Sequence, residues 1–323
     1  MRPLKFHPIL KQTLWGGERI IPYKELASGL SRVGESWELS GMPGSESVVA
    51  EGAWAGSTLS ELIGRFGAEL LGKANYARFG QEFPLLVKFI DAREDLSIQV
   101  HPDDELARKR HGKSGKCEMW YVLEAEPGAS LLTGFSRPIA PAEYERRVAD
   151  NTLTDVLNRQ AIASGDVFYL PAGRVHSIGK GSFIVEIQQS SDITYRIYDF
   201  DRRDAAGNSR ELHTELAREA IDFESSENSR ITYAPENNQE VRLVTTPYFT
   251  TSLYTLTART RCDWSATDSF VAIVLLQGSG SLTDNEGNRI DVRQGETWLL
   301  PASTQWTEIT PHTAPLRLLT SRI

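Results

Sequence analysis

Gly165-Asp166-Val167-Phe168-Tyr169-Leu170-Pro171-Ala172-Gly173-Arg174-Val175-His176 aligns without a gap on Gly295-Glu296-Thr297-Trp298-Leu299-Leu300-Pro301-Ala302-Ser303-Thr304-Gln305-Trp306. In both segments a glycine turn opens a run of strand-forming residues that stops at a proline turn. Upstream of each lies a second similar pair, 122–131 and 274–282, again a strand followed by a glycine-containing turn. A unit that recurs in this way predicts two related β-barrels. The first carries His176 where the second carries Trp306, so metal chemistry is expected in the first alone.

The rest of the chain agrees with a mainly β reading. Its 25 glycines and 15 prolines punctuate short runs such as 84–90, 119–123 and 183–187, rich in Val, Ile, Phe, Tyr and Trp. Helical signals are fewer. Thr58 and Glu61 have capping-box spacing and lead into Leu62, Ile63, Phe66, Leu70 and Leu71. A second helix is predicted from Pro141 to Arg159 with a break near Asn151, and a third over His213 to Ile221. The polar stretch from Glu224 to Glu240 reads as the boundary, giving domains 1–238 and 239–323.

Composition excludes several classes. The 323 residues are 40% hydrophobic and 24% charged, which argues against disorder. A net charge of -8 offers no global field for a polyanion, so nucleic acid is not expected as a partner. No apolar run reaches the roughly 18 residues that cross a membrane, and Met1 to Lys5 has no signal-peptide core behind it. Cys117 and Cys262 show no CxxC spacing, and a cytoplasmic, reducing setting is the expectation.

The chemistry-bearing residues fall on predicted strands of the first barrel. Alternation points Ser97, Gln99 and His101 to one face, and Lys116, Glu118 and Trp120 to one face of the next strand. Gly173 allows the chain to bend and aim His176 inward. Gln99, His101, Glu118 and His176 together make a candidate zinc shell, one ion per chain, with room for water or substrate. Glu186 and Gln188 share a face further on, followed by Asp192 and Arg196. Such charges near a barrel interior need a metal, a polar ligand or each other, and an Asp192–Arg196 pair is one solution. His7, His111, His213 and His312 have no ligand-type partner at a useful spacing.

Gly165 to His176 fits the second motif of the cupin superfamily. The order of Pro84 to Lys88, Leu96 to Pro102, Lys116 to Tyr121 and Glu186 to Arg196 resembles that of the type I mannose-6-phosphate isomerases. Trp15-Gly16-Gly17 and Gly34-Glu35-Ser36-Trp37-Glu38 are similar to the amino-terminal part of that family's shorter bacterial members. The resemblance implies two cupin-like jelly-roll β-barrels with a few helices inserted in or flanking the first. It also implies conversion of mannose 6-phosphate to fructose 6-phosphate, with Gln99, His101, Glu118 and His176 as zinc ligands and Arg196 as the catalytic arginine. Ser97 and Lys88 match positions associated with the substrate phosphate. Arg202 matches a basic position of the longer enzymes, and Asp192 joins the substrate-binding set. Two departures stand out, Lys180 where the family has asparagine and Ile178 where longer members carry an aromatic residue.

An aldose–ketose isomerisation needs a base near C1 and C2 and donors for an enediolate. Arg196 suits the second task, while Lys116, Glu186 or a zinc-bound water suits the first. Two other classes fit the same residues, a metal-dependent cupin oxygenase and a non-catalytic sugar-phosphate-binding barrel. Lys88, Lys116 and Arg196 favour an anionic sugar over oxygen activation. The second barrel, with Trp306 at the histidine position and Ser269 near the position of Glu118, is expected to be structural.

Overall fold

The computed structural model describes residues 1–204, 206–224 and 228–323. Gly165 and Gly295 take φ of 90° and 80°, the left-handed region that side chains resist. Each releases a short strand, Val167–Leu170 and Thr297–Leu300, and a second strand follows each proline turn, at His176–Ile178 and Trp306–Pro311. In both repeats the two strands enter different sheets. The first unit pairs a seven-stranded sheet, holding Val167–Leu170, with a five-stranded one holding His176–Ile178. The second pairs a six-stranded sheet with a four-stranded one. The expected two-barrel, cupin-like and mainly β architecture is therefore present.

Alternation explains how the barrels are joined. In Leu85–Ala92, Glu118–Ala125 and Ser182–Gln189, one set of side chains points into the first barrel, among them Ile90, Trp120, Val122 and Ile184. The other set, including Val87, Phe89, Met119, Val185 and Ile187, joins Leu253, Ala272, Val274, Leu299 and Leu319 of the second unit in one apolar cluster. The intervening residues Tyr254, Ile273, Leu275, Trp298 and Leu318 fill the second barrel itself. The central strands are thus covered on both faces, which is why they read as nearly continuous apolar runs. Lys88, Glu118 and Glu186 interrupt them at inward positions.

Phe270 sits in the inter-barrel cluster, fully buried, with its ring centroid 4.8 Å from that of Phe83. Phe270→Ala would leave a cavity between two rigid sheets and is expected to cost about 3–5 kcal/mol. Denaturant unfolding would measure it, and a loss below about 1 kcal/mol would mean that the interface collapses around the gap.

The capping box at Thr58 and Glu61 is present and opens Leu59–Phe66, but Gly67, at φ 48°, ends that helix. Leu70 and Leu71 belong to a separate turn, Ala68–Leu71. The second predicted helix is Pro141–Ala149, broken at Asn151, which adopts φ 54°. Its expected extension to Arg159 is corrected, because Leu157–Ala161 pairs as an edge strand with Ser130–Phe135. The third helix spans Thr214–Ala220. An unexpected helix, Asp104–His111, is capped by Asp103 and buries only Ala107, so it offered no apolar stripe to read. Within the polar stretch taken as a boundary, Arg230–Ile231 adds a short strand to the seven-stranded sheet; positions 225–227 of that stretch lie outside the described residues. At the other end of the chain, Leu4–Lys5 pairs with Thr297–Leu300 at the edge of the second unit's six-stranded sheet. Among the described residues, no helix is long and apolar enough to cross a membrane.

Candidate metal centre and substrate cleft

Gln99 lies in the strand Ile98–Val100, His101 follows it directly, and Glu118 and His176 each begin a strand. Gln99 is the cross-strand partner of His176. Gly173 takes φ 85°, and its amide donates to the His101 carbonyl at 2.9 Å, tying the turn before His176 to the first histidine. His101, Glu118 and His176 are fully buried, with ligand atoms all within 4.8 Å of one another.

The hydrogen bonds fix what these rings present. His101 Nδ1 lies 2.8 Å from the Ile193 carbonyl and His176 Nδ1 lies 2.8 Å from the Arg174 carbonyl. A carbonyl can only accept, so both Nδ1 atoms carry the proton and both Nε2 atoms turn a lone pair to the centre. There they meet Glu118, with His176 Nε2 at 3.1 Å from Oε1 and His101 Nε2 at 3.5 Å from Oε2. Acceptor therefore faces acceptor, and neither carboxylate oxygen has a well-formed hydrogen bond. Lys116 relieves part of this, its ammonium 2.7 Å from Glu118 Oε2 and 3.1 Å from His101 Nε2. The contact between His176 Nε2 and Oε1 still lacks a proton or cation, as expected of a site built for a positive ion.

The electrostatics agree. Burial, with help from the Lys116 charge, lowers the His101 pKa to about 3, and burial likewise lowers that of His176. Both rings are neutral at pH 7, the form that ligates metals. Burial alone would raise the Glu118 pKa, but Lys116 and the two imidazoles outweigh it and hold the carboxyl well below its usual range.

A cleft of about 140 Å³ opens beside the cluster. It brings together Lys88, Ser97, Gln99, Lys116, Glu186 and Arg196 of the predicted set. Ser97 Oγ donates to Gln99 Oε1 at 3.3 Å, while Gln99 Nε2 lies 3.3 Å from His176 Nε2. Lys88 and Glu186 are cross-strand neighbours, with Nζ 3.0 Å from Oε1, and Trp120 Nε1 donates to Glu186 Oε2 at 3.0 Å. Arg196 Nη1 donates to the Glu211 carbonyl at 2.9 Å.

Besides the buried cluster of His101, Glu118 and His176, two predicted residues stand outside the cleft lining. The Asp192 side chain is 49% exposed and pairs with Lys113 at 2.9 Å, so the anticipated Asp192–Arg196 pair gives way to a surface contact. Arg202 is nearly buried, with Nη2 donating to the Asp95 carbonyl. The cleft also includes Trp15, Glu35, Thr194 and Arg210. Trp15 and Glu35 belong to the two amino-terminal motifs, Trp15-Gly16-Gly17 and Gly34-Glu35-Ser36-Trp37-Glu38. Arg210 comes from an irregular polar segment that carries no pattern.

Fold and cluster together define a two-barrel, cupin-like protein with a candidate metal centre in its first barrel. Residues 4–132 match the family model for the phosphomannose isomerase type I catalytic domain. The chain is 34% identical to the mannose-6-phosphate isomerase ManA of Bacillus subtilis over 303 residues, 93% of each protein. It is 33% identical to the mannose-6-phosphate isomerase of Streptococcus mutans over 302 residues, 93% of this chain and 92% of that one. The crystal structure of the mannose 6-phosphate isomerase from B. subtilis superimposes with a TM-score of 0.90 at 29% identity, covering all of both chains. The chain belongs to the mannose-6-phosphate isomerase family.

Proposed function

We propose that this enzyme interconverts mannose 6-phosphate and fructose 6-phosphate with a zinc ion held by His101, Glu118, His176 and Gln99. The reading is carried by the buried His–Glu–His cluster, whose facing acceptors call for a cation, at the side of a cleft lined by Lys88, Lys116 and Arg196. Two neutral imidazoles, a carboxylate and an amide oxygen suit zinc. The Gln99 amide supplies its oxygen by a half-turn about its terminal bond, since the two orientations differ only in hydrogen bonding. When bound, zinc polarises sugar oxygens as a Lewis acid.

The protein's own groups do the rest. Isomerisation moves a proton between C2 and C1 through an enediolate, with negative charge developing on O1 and O2. Arg196, always protonated and presenting a fork of donors, stabilises those oxygens. Lys116 and Glu186 both line the cleft and are the residues able to carry the proton. Glu186 is held on both oxygens by Lys88 and Trp120, which fixes its orientation. A cleft this rich in cations suits a phosphorylated sugar better than oxygen activation.

Catalysis is assigned to residues 1–238 and a supporting role to 239–323. The residues lining the cleft all precede position 211. In the second barrel Trp306, at the position of His176, carries the Arg261 guanidinium 4.2 Å from its ring centroid instead of offering a ligand.

A coupled assay of mannose 6-phosphate conversion tests the reading. Chelation is expected to abolish turnover and zinc to restore it. Metal-loaded protein that bound hexose phosphate without turnover would favour the non-catalytic binding barrel.

A further inference from the structure

We propose that His213 is a positioning residue for the reaction, holding the backbone of Arg196 from the outer edge of the strand Tyr195–Tyr198 and so setting where the guanidinium points. The proposal rests on the catalytic role given to Arg196 above and names the group that aims it.

Tyr195–Tyr198 is the last strand of the five-stranded sheet and pairs on one side only, with Ile98–Val100. In an antiparallel strand the N–H and C=O of one residue point to the same side. Both groups of Arg196 go to His213, its amide donating to Nδ1 at 3.2 Å and its carbonyl accepting from the His213 amide at 2.7 Å. Arg196 therefore turns its main chain away from the neighbouring strand, and Gln99 faces it as a non-hydrogen-bonded partner. The ladder is also interrupted here. Between Arg196 and Tyr198 the register shifts by one residue, and such a bulge re-aims the side chains around it. Strand pairing alone leaves the direction of Arg196 loosely defined, and the segment 211–213 supplies the missing constraint. It holds both ends of the residue, because Nη1 donates to the Glu211 carbonyl at 2.9 Å.

The imidazole is not spent on its own helix. His213 stands at the N-cap of Thr214–Ala220, where a side chain ordinarily accepts from the first amides, yet it makes no cap hydrogen bond. The ring is turned to Arg196 instead. Because a backbone N–H can only donate, Nδ1 is the acceptor and the ring proton sits on Nε2, 3.8 Å from the carboxylate of the exposed Glu211. The ring also lies 6.4 Å from that of Tyr195, between centroids. His213 is itself anchored, since the Ala217 amide donates to its carbonyl at 2.8 Å and Tyr144 Oη donates to the Thr214 carbonyl at 2.9 Å. Ala217 is fully buried in the same apolar cluster as Ile98 and Tyr195, which fixes the helix to the sheet. His213 is not among the residues lining the cleft, whereas Arg196 is. A substitution at His213 therefore reaches the reaction through the arginine, whose Nε is buried with no hydrogen-bond partner among the described residues.

The test uses full-length, zinc-loaded protein, with zinc content checked for every variant and turnover of mannose 6-phosphate read as kcat and KM. His213→Leu removes the acceptor and is expected to lower kcat at least about 5-fold, towards the roughly 10²-fold that a misplacement of about 1 Å can cost, with a smaller change in KM. His213→Asn places an acceptor near the position of Nδ1 and should recover most of that loss. His213→Gln, whose longer side chain carries its acceptor to the position of Nε2, should not. In the Arg196→Ala background His213→Leu is expected to change kcat by less than about 2-fold, because residues that act as a unit are not additive. Wild-type kcat in His213→Leu, or the same fold-loss in both backgrounds, would overturn the proposal. If His213→Leu does not fold, the other two variants decide, and equal turnover in Asn and Gln overturns it. A lowered kcat in Arg196→Ala beside unaffected His213 variants would sink this role alone, whereas near-normal turnover in Arg196→Ala would end the arginine's assignment and this one with it.

Discussion

His176→Ala is expected to yield a folded protein that has lost stoichiometric zinc and more than about 100-fold of its turnover. Residues that merely orient metal ligands typically cost 10–100-fold when changed, and a ligand should exceed that. His176 combines the unrelieved contact with Glu118, a Nδ1–H fixed by the Arg174 carbonyl, and ring contacts with His101 and Trp120 at 4.8 and 5.4 Å between centroids. Removing it takes away a nitrogen donor and leaves Glu118 Oε1 buried without a counterpart. Metal analysis of the purified variant alongside the coupled assay measures both effects. His176→Gln, which keeps a polar side chain in place, separates ligand loss from misfolding. Full zinc content with near-normal turnover in either variant would remove His176 from the metal shell.

Arg196→Ala is expected to keep zinc and lower kcat by roughly 10²–10³, the usual effect of deleting one donor to a developing oxyanion. The backbone at this position is secured independently, since the Arg196 amide meets His213 Nδ1 at 3.2 Å and its carbonyl accepts from the His213 amide at 2.7 Å. Truncation should therefore leave the strand in place. Burial first, and then the neighbouring Arg210 charge, lowers the Arg196 pKa, yet a guanidinium stays charged across the working range, so no new pH limb is expected from it. Arg196→Lys should recover little, because one ammonium cannot reproduce the planar fork. Turnover near that of wild type in Arg196→Ala would end its catalytic assignment.

The fold was legible because its signals are local. Gly165 and Gly295 mark equivalent turns, and the strands after them repeat the same order of apolar residues and proline. The metal cluster was legible for the same reason, since period-two alternation puts Gln99 beside His101 on one face and makes Glu118 an inward charge in an apolar strand. What escaped was set by longer-range or irregular geometry. Asp192 reads as a partner for Arg196 by proximity in sequence, but it lies in an irregular segment and its half-exposed carboxylate pairs with Lys113 on the surface. Arg210 lines the cleft from an irregular polar segment, held there by Asp199, and no periodic pattern encodes that position. The helix Asp104–His111 escaped because charged residues with caps, not an apolar stripe, define it.

The strand Ser182–Gln189 sends Ile184 and Glu186 inward and Val185 and Ile187 against the second barrel. A single-residue slip in its pairing would carry Glu186 into the apolar seam between the barrels and present a valine to the sugar. One strand therefore sets two addresses at once, and any insertion or deletion within it would damage chemistry and assembly together. Point substitutions, by contrast, can alter either face while leaving the other where it is.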